Sequence, residues 1–370
     1  TPSWDERIAE ADTCRYTVNR SSGGKARQTE LVARLLSREN ACEDGIRAVQ
    51  AKVKGSCNFI IMTEKGLYGC RDRLGRIPLT LGRKEDGWVL SSESSALYNV
   101  GFTPLRDLGP GEAVFIDPDG CETRIQPGSE MQICSFLWVY YGYPSSSYEG
   151  VNVEDCRYRC GALMGAEDDV EVDCVCGIPD SGIGHAVGYS NQRHIRYSRP
   201  LVKYTPTWPR SFMPQNQESR NLVAKMKLIP NEALIKGQRL LFLDDSIVRG
   251  TQLKDNIQVL YQHGAKEVHI RIACPTLVYP CEFLNFSTSR SALELMGLKA
   301  ILALEGKEWQ NIERYVDSSD VKNAEMIEWI RQQFQLSTLK FQKLENLVKA
   351  IGLPKEKLCT HCWDGSSWGH

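Results

Sequence analysis

Long apolar runs are missing from this chain of 370 residues. No stretch approaches the roughly 18 consecutive apolar residues of a membrane-spanning helix, so a membrane protein is not expected. An excess of charge of either sign is missing too. Forty-five basic side chains face 46 acidic ones, for a formal net charge of −1. Such a chain has no global positive field with which to hold nucleic acid. Internal repeats and low-complexity tracts are absent. Histidine is scarce, at 6 residues, and His194, His263, His269 and His361 form no triad or zinc pattern. The opening Thr1 to Cys14 is polar and acidic, unlike a secretory signal. The expectation is a cytoplasmic protein whose 14 cysteines are reduced thiols and metal ligands rather than disulfides.

What is present is globular. Hydrophobic residues make up 42% and charged residues 25%, close to the average for folded domains. At about 100–200 residues per domain the length suggests two or three. A helix is expected from about Gln28, with Leu31, Leu35 and Leu36 on one face. Short strands follow at Ser56–Met62, Gly66–Asp72, Leu79–Leu81, Trp88–Ser91 and Ala113–Ile116, broken by Asp86-Gly87 and Pro110-Gly111. They read as an antiparallel sheet layered with helices and ending near Pro127. From Cys134 the pattern changes. Val170–Ile178 and Arg239–Leu243 are apolar strands. Leu253, Ile257, Leu260 and Tyr261 have helical spacing, Gly264 can cap that helix, and Val268, Ile270 and Ile272 alternate as a strand. This is the order of a parallel α/β sheet. Residues 322–351 read as two amphipathic helices.

The most informative segment is Leu240-Leu241-Phe242-Leu243-Asp244-Asp245-Ser246-Ile247-Val248-Arg249-Gly250-Thr251. A buried strand ends in two acids, and a glycine loop then opens a helix. Ligands of α/β sheets bind at that end of the strands. The helix start offers unpaired N–H groups and a positive dipole to a phosphate. Gly250 lets backbone approach closely, and Thr251 adds a hydroxyl. The acids suit ribose hydroxyls, or Mg²⁺ bridging a ribose and a pyrophosphate. An ordinary strand–turn–helix is the competing reading.

This segment resembles the phosphoribosyl pyrophosphate (PRPP) motif of type I phosphoribosyltransferases, and within them the amidophosphoribosyltransferase (glutamine PRPP amidotransferase) family. The resemblance implies PRPP contacts from Asp244, Asp245, Ser246, Val248, Arg249, Gly250 and Thr251. Ile178-Pro179-Asp180-Ser181-Gly182 resembles the family's Pro-(Asp/Glu)-(Ser/Thr) loop, which makes Ser181, Asp244 and Asp245 the Mg²⁺ candidates. Lys203 to Gln215 resembles its mobile loop, with Lys203 and Arg210 implied to meet the pyrophosphate. His185, just after the Ser181 loop, is read either as lining the site or, in preference, as a solvated loop histidine.

Four cysteines fall at positions like those of the family's iron–sulfur branch. They are Cys134, opening Cys-Ser-Phe-Leu-Trp-Val-Tyr-Tyr before an expected Tyr-rich strand, Cys281, after an expected last sheet strand, and the CxxC pair Cys359 and Cys362. The resemblance implies a structural [4Fe–4S] cluster pinning the C-terminal tail. Four thiolates also suit Zn²⁺. The remaining cysteines read as structural, with Cys174 and Cys176 on one face of a buried strand.

Residues 30–127 resemble the later part of an N-terminal-nucleophile glutaminase domain. The matching segments are Gly69–Leu79, which resembles Arg-Asp-x-x-Gly-x-x-Pro-Leu, Ser92–Ala96 and Asp107–Glu112. The front part departs from the family. Position 1 is Thr followed by Pro2, not Cys-Gly-Ile. There is no Asn-Gly segment for an oxyanion hole, and the substrate-holding Asp would fall near Gln28. No glutamine hydrolysis is expected from the chain as it stands.

The fold class is thus expected to be α/β, a type I phosphoribosyltransferase parallel-sheet domain plus a partial αββα glutaminase-like domain. The divisions are 1–130, 131–320 and a C-terminal segment of helices and cluster-binding tail over 321–370. The implied reaction converts PRPP and ammonia to 5-phosphoribosylamine and pyrophosphate, the first step of purine synthesis. The implied partners are ammonia or a partner glutaminase, purine nucleotides as inhibitors, and further copies of the chain in a homo-oligomer. A non-catalytic PRPP or nucleotide sensor is the alternative. A salvage enzyme would leave the glutaminase remnant and the cysteines unexplained.

Overall fold

The computed structural model describes residues 28–203, 228–281, 283–284, 294–307 and 309–366. Thr1 and Arg210 lie outside the described residues.

The first half is built from two antiparallel sheets. One has the order β1 (Phe59–Met62), β2 (Leu67–Cys70), β6 (Ala113–Asp117), β7 (Gly120–Ile125). The other has the order β4 (Gly87–Ser91), β3 (Thr80–Lys84), β5 (Thr103–Asp107). Alternation along β6 explains the layering. Val114 and Ile116 point toward Leu79, Leu81 and Leu108 of the second sheet. Ala113 points the other way and joins Cys70, Ile125 and Ile46. Ile46 belongs to α2 (Cys42–Lys52), which packs with Leu35 of α1 (Gln28–Leu36) through Val49 and Val53. On the far side, Leu97 of α3 (Ser94–Asn99) lies against β3 at Gly82. The strands of this half thus form two sheets packed face to face between helices, in keeping with the expected αββα arrangement.

Fully buried Arg71 joins this half to the next. Its Nε donates to Ile77 O at 3.0 Å, its Nη2 to Gly75 O at 2.8 Å, and its Nη1 pairs with Glu149 Oε1 at 2.7 Å. After β8 (Ile133–Cys134) comes a single π-helical turn, Leu137–Tyr141, where a Tyr-rich strand was expected. Its Leu137, Trp138 and Val139 are all buried, and Arg157 donates to the carbonyls of Trp138 and Gly142 at 3.0 Å each. The hairpin β9 (Ser147–Tyr148) and β10 (Val151–Asn152) leads into α4 (Val153–Ala166). That helix is capped by the Asn152 side chain, which accepts from Asp155 N.

The second half holds a five-stranded parallel sheet. Its order is β12 (Tyr197–Ser198), β11 (Cys174–Gly177), β15 (Arg239–Asp244), β16 (Glu267–Ile272), β17 (Thr338–Phe341). Leu240, Leu241, Phe242 and Leu243 have no exposed surface, as suits a central strand covered on both faces. Val175, Leu241 and Leu243 face Met164 of α4 and Ala186 and Tyr189 of α5 (Ile183–Arg193). Cys174, Cys176, Leu240 and Phe242 face the opposite, larger core. The antiparallel pair β13 (Leu201–Lys203) and β14 (Leu228–Pro230) and the turn α6 (Glu232–Ile235) precede β15. The helix α7 (Thr251–Gln262) follows it and supplies Leu253, Ile257 and Leu260 to the larger core. Next come α8 (Met296–Glu305), α9 (Ile312–Val316) and α10 (Val321–Phe334) before β17, and α11 (Leu344–Ile351) after it. The tail ends in β18 (Leu358–Cys359) and α12 (His361–Asp364). No described helix is long and apolar enough to cross a membrane.

Two expectations change here. Only Cys174–Gly177 of the expected 170–178 strand is extended in the sheet. Asp173 instead holds Arg239 through its carboxylate, accepting from the backbone N at 2.7 Å and from Nη2 at 3.1 Å. Residues 322–351 are helix, strand and helix rather than two helices, because Thr338–Phe341 pairs in parallel with β16. The strand before Cys281 is therefore not the last of the sheet.

Candidate functional site

The strands β11 and β15 lie side by side in register, Gly177 opposite Leu243. The loops leaving their C-terminal ends meet. Ser181 Oγ donates to Asp244 Oδ1 at 2.7 Å, the Asp245 backbone N donates to the same oxygen at 2.9 Å, and Ser246 Oγ donates to Asp245 Oδ2 at 2.5 Å. Burial, and then the neighbouring Asp245 carboxylate, push Asp244 well above the usual carboxylate range. Val248 O accepts from Met296 N at 2.8 Å, which anchors the loop against α8. Arg249 pairs with Glu294 at 2.5 Å. Gly250 then opens α7 from a left-handed φ of 76°. A Cβ there would lie 2.4 Å from Phe334 Cζ and 2.7 Å from Met296 Cε, so a side chain is excluded twice over. The first turn of α7 carries no acid, which leaves its N–H groups suited to an anion.

Lys203, at the end of β13, reaches Asp180 Oδ2 at 2.6 Å. The structure thus brings Ser181, Asp244, Asp245 and Ser246 together, with Lys203 beside the Ser181 loop, while Val248 and Arg249 make their contacts with Met296 and Glu294. His185 is a correction. It is 1% exposed in α5, with Nε2 3.3 Å from Val139 O, and burial followed by the nearby Arg157 charge lowers it to about 3. It is a neutral core histidine. The solvated loop disappears because Gly161 of α4 sits against α5, where a Cβ would come within 1.9 Å of His185 O.

The donor chemistry of the loops fits magnesium. No group of three or more His, Cys, Asp or Glu among the described residues is placed to hold a metal ion alone. Mg²⁺ is commonly held by one or two carboxylates, with substrate and water oxygens completing the shell. Two carboxylates and a hydroxyl match that pattern.

A second constellation lies where β18 pairs in parallel with β8, setting Cys359 opposite Cys134. Together with Cys281 and Cys362 these line one cavity. Its remaining walls are Arg76, Phe136, Phe283, Leu284, His361 and Trp363. Trp363 stacks on Phe136 with ring centroids 5.0 Å apart. Burial raises Cys134 and Cys359, while a contact with Cys281, then burial, raises Cys362. Four thiols lining one cavity supply the donor set of either a [4Fe–4S] cluster or a zinc ion, and among the described residues no three of them are placed to hold a metal ion as they stand. By contrast Cys174 and Cys176 lie on one face of β11 with sulfurs 3.8 Å apart, both fully buried. Sequence reasoning missed Arg76, Phe283 and Glu294. Only the placement of Trp363 beside Cys362 carried a signal.

Residues 13–99 match the family model described as a glutamine amidotransferase domain. The amidophosphoribosyltransferase of Mycobacterium tuberculosis is 36% identical over 314 residues, 85% of this chain and 55% of its own length. That of Bacillus subtilis is 33% identical over 327 residues, 88% and 63% of the two chains. That of Methanocaldococcus jannaschii is 31% identical over 357 residues, 91% and 69%. Among solved structures, the glutamine PRPP amidotransferase from B. subtilis complexed with ADP and GMP superposes with a TM-score of 0.78. The two are 30% identical, and the match covers 97% of this chain and 73% of that one. A structure described as the allosteric regulatory enzyme of purine biosynthesis gives 0.77 at 31% identity, covering 93% and 70%. The chain spans little more than half the length of the mycobacterial relative. It belongs to the amidophosphoribosyltransferase family.

Proposed function

We propose that this chain transfers ammonia to C1 of PRPP, releasing pyrophosphate and forming 5-phosphoribosylamine, the first step of de novo purine synthesis. The observation that carries the reading is the convergence of Ser181, Asp244, Asp245 and the Gly250–Thr251 helix start at the ends of two adjacent parallel strands. The names of the relatives support it.

The reaction separates charge. As pyrophosphate leaves, positive charge develops on the ribose and negative charge on the leaving group. The N–H groups opening α7 hold a phosphate of the substrate, and Asp244 and Asp245 orient the ribose. Lys203, already beside Asp180, offers a cation to the pyrophosphate, and Arg210 is assigned the same role. Mg²⁺ held by Ser181, Asp244 and Asp245 would neutralise the leaving group. Exclusion of water from the site keeps PRPP from hydrolysis.

The proposed organisation is a glutaminase-like unit over 1–130 and a phosphoribosyltransferase unit over 131–320. The segment 321–370 adds β17 to the sheet and closes the cysteine cavity. Cys134, Cys281, Cys359 and Cys362 would ligate a structural [4Fe–4S] cluster. Ammonia comes from solution or a partner glutaminase. Regulation by purine nucleotides, suggested by the B. subtilis relative complexed with ADP and GMP, a cytoplasmic location and a homo-oligomeric state complete the reading. Anaerobic protein given PRPP, Mg²⁺ and ammonium should release pyrophosphate. PRPP binding with no release would favour a sensor instead.

A further inference from the structure

The loop between β2 and β3 carries an arginine that the chemistry above does not use. Arg76 is 3% exposed and forms part of the cysteine cavity wall. Its guanidinium carbon stands 3.8 Å from the centroid of the Phe283 ring. Its carbonyl accepts from Cys134 N at 3.0 Å. The loop that presents it is fixed at both ends of the contact. Asp72 Oδ1 accepts from the backbone N of Leu74 and of Arg76, at 3.2 Å each, and Asp72 Oδ2 accepts from Ser56 Oγ at 2.8 Å. Ser56 N in turn donates to Phe283 O at 3.1 Å. A buried cation is thus held in place against two of the four thiol-bearing segments.

We infer that Arg76 is the charge partner of an iron–sulfur cluster in this cavity, so that the glutaminase-like unit supplies a cluster-stabilising group while the cysteines come from elsewhere in the chain. The inference rests on the cluster reading above. Four thiolates around a [4Fe–4S] core leave the assembly anionic, and a buried anion is costly without compensation. Among the described residues lining the cavity, Arg76 supplies the only permanent charge. A guanidinium is suited to the role because it stays ionised when buried and stacks on an aromatic face. A cation beside the cluster also favours the more negative, reduced state and opposes oxidation, so it sets the potential and slows oxidative loss.

The test uses the full chain purified anaerobically as wild type, Arg76→Met, Arg76→Gln and Arg76→Lys. Iron and acid-labile sulfide are assayed, bleaching of the visible absorbance is followed in air and with an iron chelator, and the midpoint potential is titrated by electron paramagnetic resonance. The neutral variants are expected to lose iron about 10-fold faster than wild type and to titrate at a more negative potential, while Arg76→Lys stays near wild type. Loss of the cluster in both neutral variants but not in Arg76→Lys supports the inference equally. A neutral variant with wild-type potential and bleaching rate overturns it. So does loss in all three folded variants, which would make Arg76 a packing residue. Wild-type protein without iron and sulfide overturns the cluster reading itself, a result the variants cannot produce.

Discussion

Ser181 and Asp244 leave different strands of one sheet, and Ser181 Oγ donates to Asp244 Oδ1 at 2.7 Å. That bond locks the two loops that together form the candidate PRPP site. Replacing Ser181 by Ala removes both a donor to the carboxylate and a candidate magnesium ligand. Pyrophosphate release should fall about 10–100-fold, the range for lost support around a metal ligand. The magnesium concentration for half-maximal rate should rise with it, and a magnesium titration of initial rates reads both.

Gly250 sets the entry to α7. Gly250→Ala forces a Cβ into Phe334 and Met296 at a left-handed φ. The expected cost is about 1–3 kcal/mol of stability, seen as a lower urea midpoint with an unchanged slope. PRPP affinity should fall further than stability explains, since the loop must shift to admit the methyl group.

Asp168 welds α4 and α5 to the sheet. It accepts from Arg271 Nε at 2.5 Å, Tyr189 OH at 2.8 Å and Lys340 Nζ at 2.9 Å, and both members of the Arg271 pair are buried. Burial opposes its ionisation, but the Arg271 hydrogen bonds and charge outweigh this and hold the carboxyl well below its usual range. A depressed folded-state value stabilises the fold above the unfolded value of about 3.9 and is lost as pH falls below it. Asp168→Asn should cost about 3–5 kcal/mol near neutrality. The gap to wild type should narrow as urea melts are taken below about pH 4.

The cysteine cavity predicts a composition. Anaerobic protein should contain iron and acid-labile sulfide in equal amounts, and Cys359→Ser should lose both. Because Cys359 stands opposite Cys134 in the β8–β18 pairing, the same variant, or removal of iron by a chelator, should speed proteolysis of the tail. Zinc without sulfide would replace the cluster by the alternative metal.

How far the sequence foretold this depended on the range of the forces involved. Leu240 to Leu243 followed by Asp244, Asp245 and Gly250 is a local pattern, and the strand, loop and helix lie where it places them. The strand Thr338–Phe341 was hidden because it is four residues long, half polar and flanked by helices. Only pairing with β16 makes it a strand. Val170–Val172 look strand-like, but Glu171 and Asp173 serve Arg239 instead. His185 was misplaced because its burial depends on a glycine contact with another helix. The four cysteines came from family resemblance, since their spacing alone leaves several metals and pairings open. Arg76 carried no local signal, and its position follows from Asp72, Ser56 and Phe283 acting together.

The central claim is tested most directly by pyrophosphate release from PRPP and Mg²⁺ with ammonium or with glutamine, for the wild-type chain and Asp244→Asn. The account predicts ammonium-dependent release that falls at least about 100-fold in the variant, a loss of about 2.7 kcal/mol of transition-state stabilisation. Tight PRPP binding with no release from either nitrogen source, or release indifferent to Asp244, would contradict it.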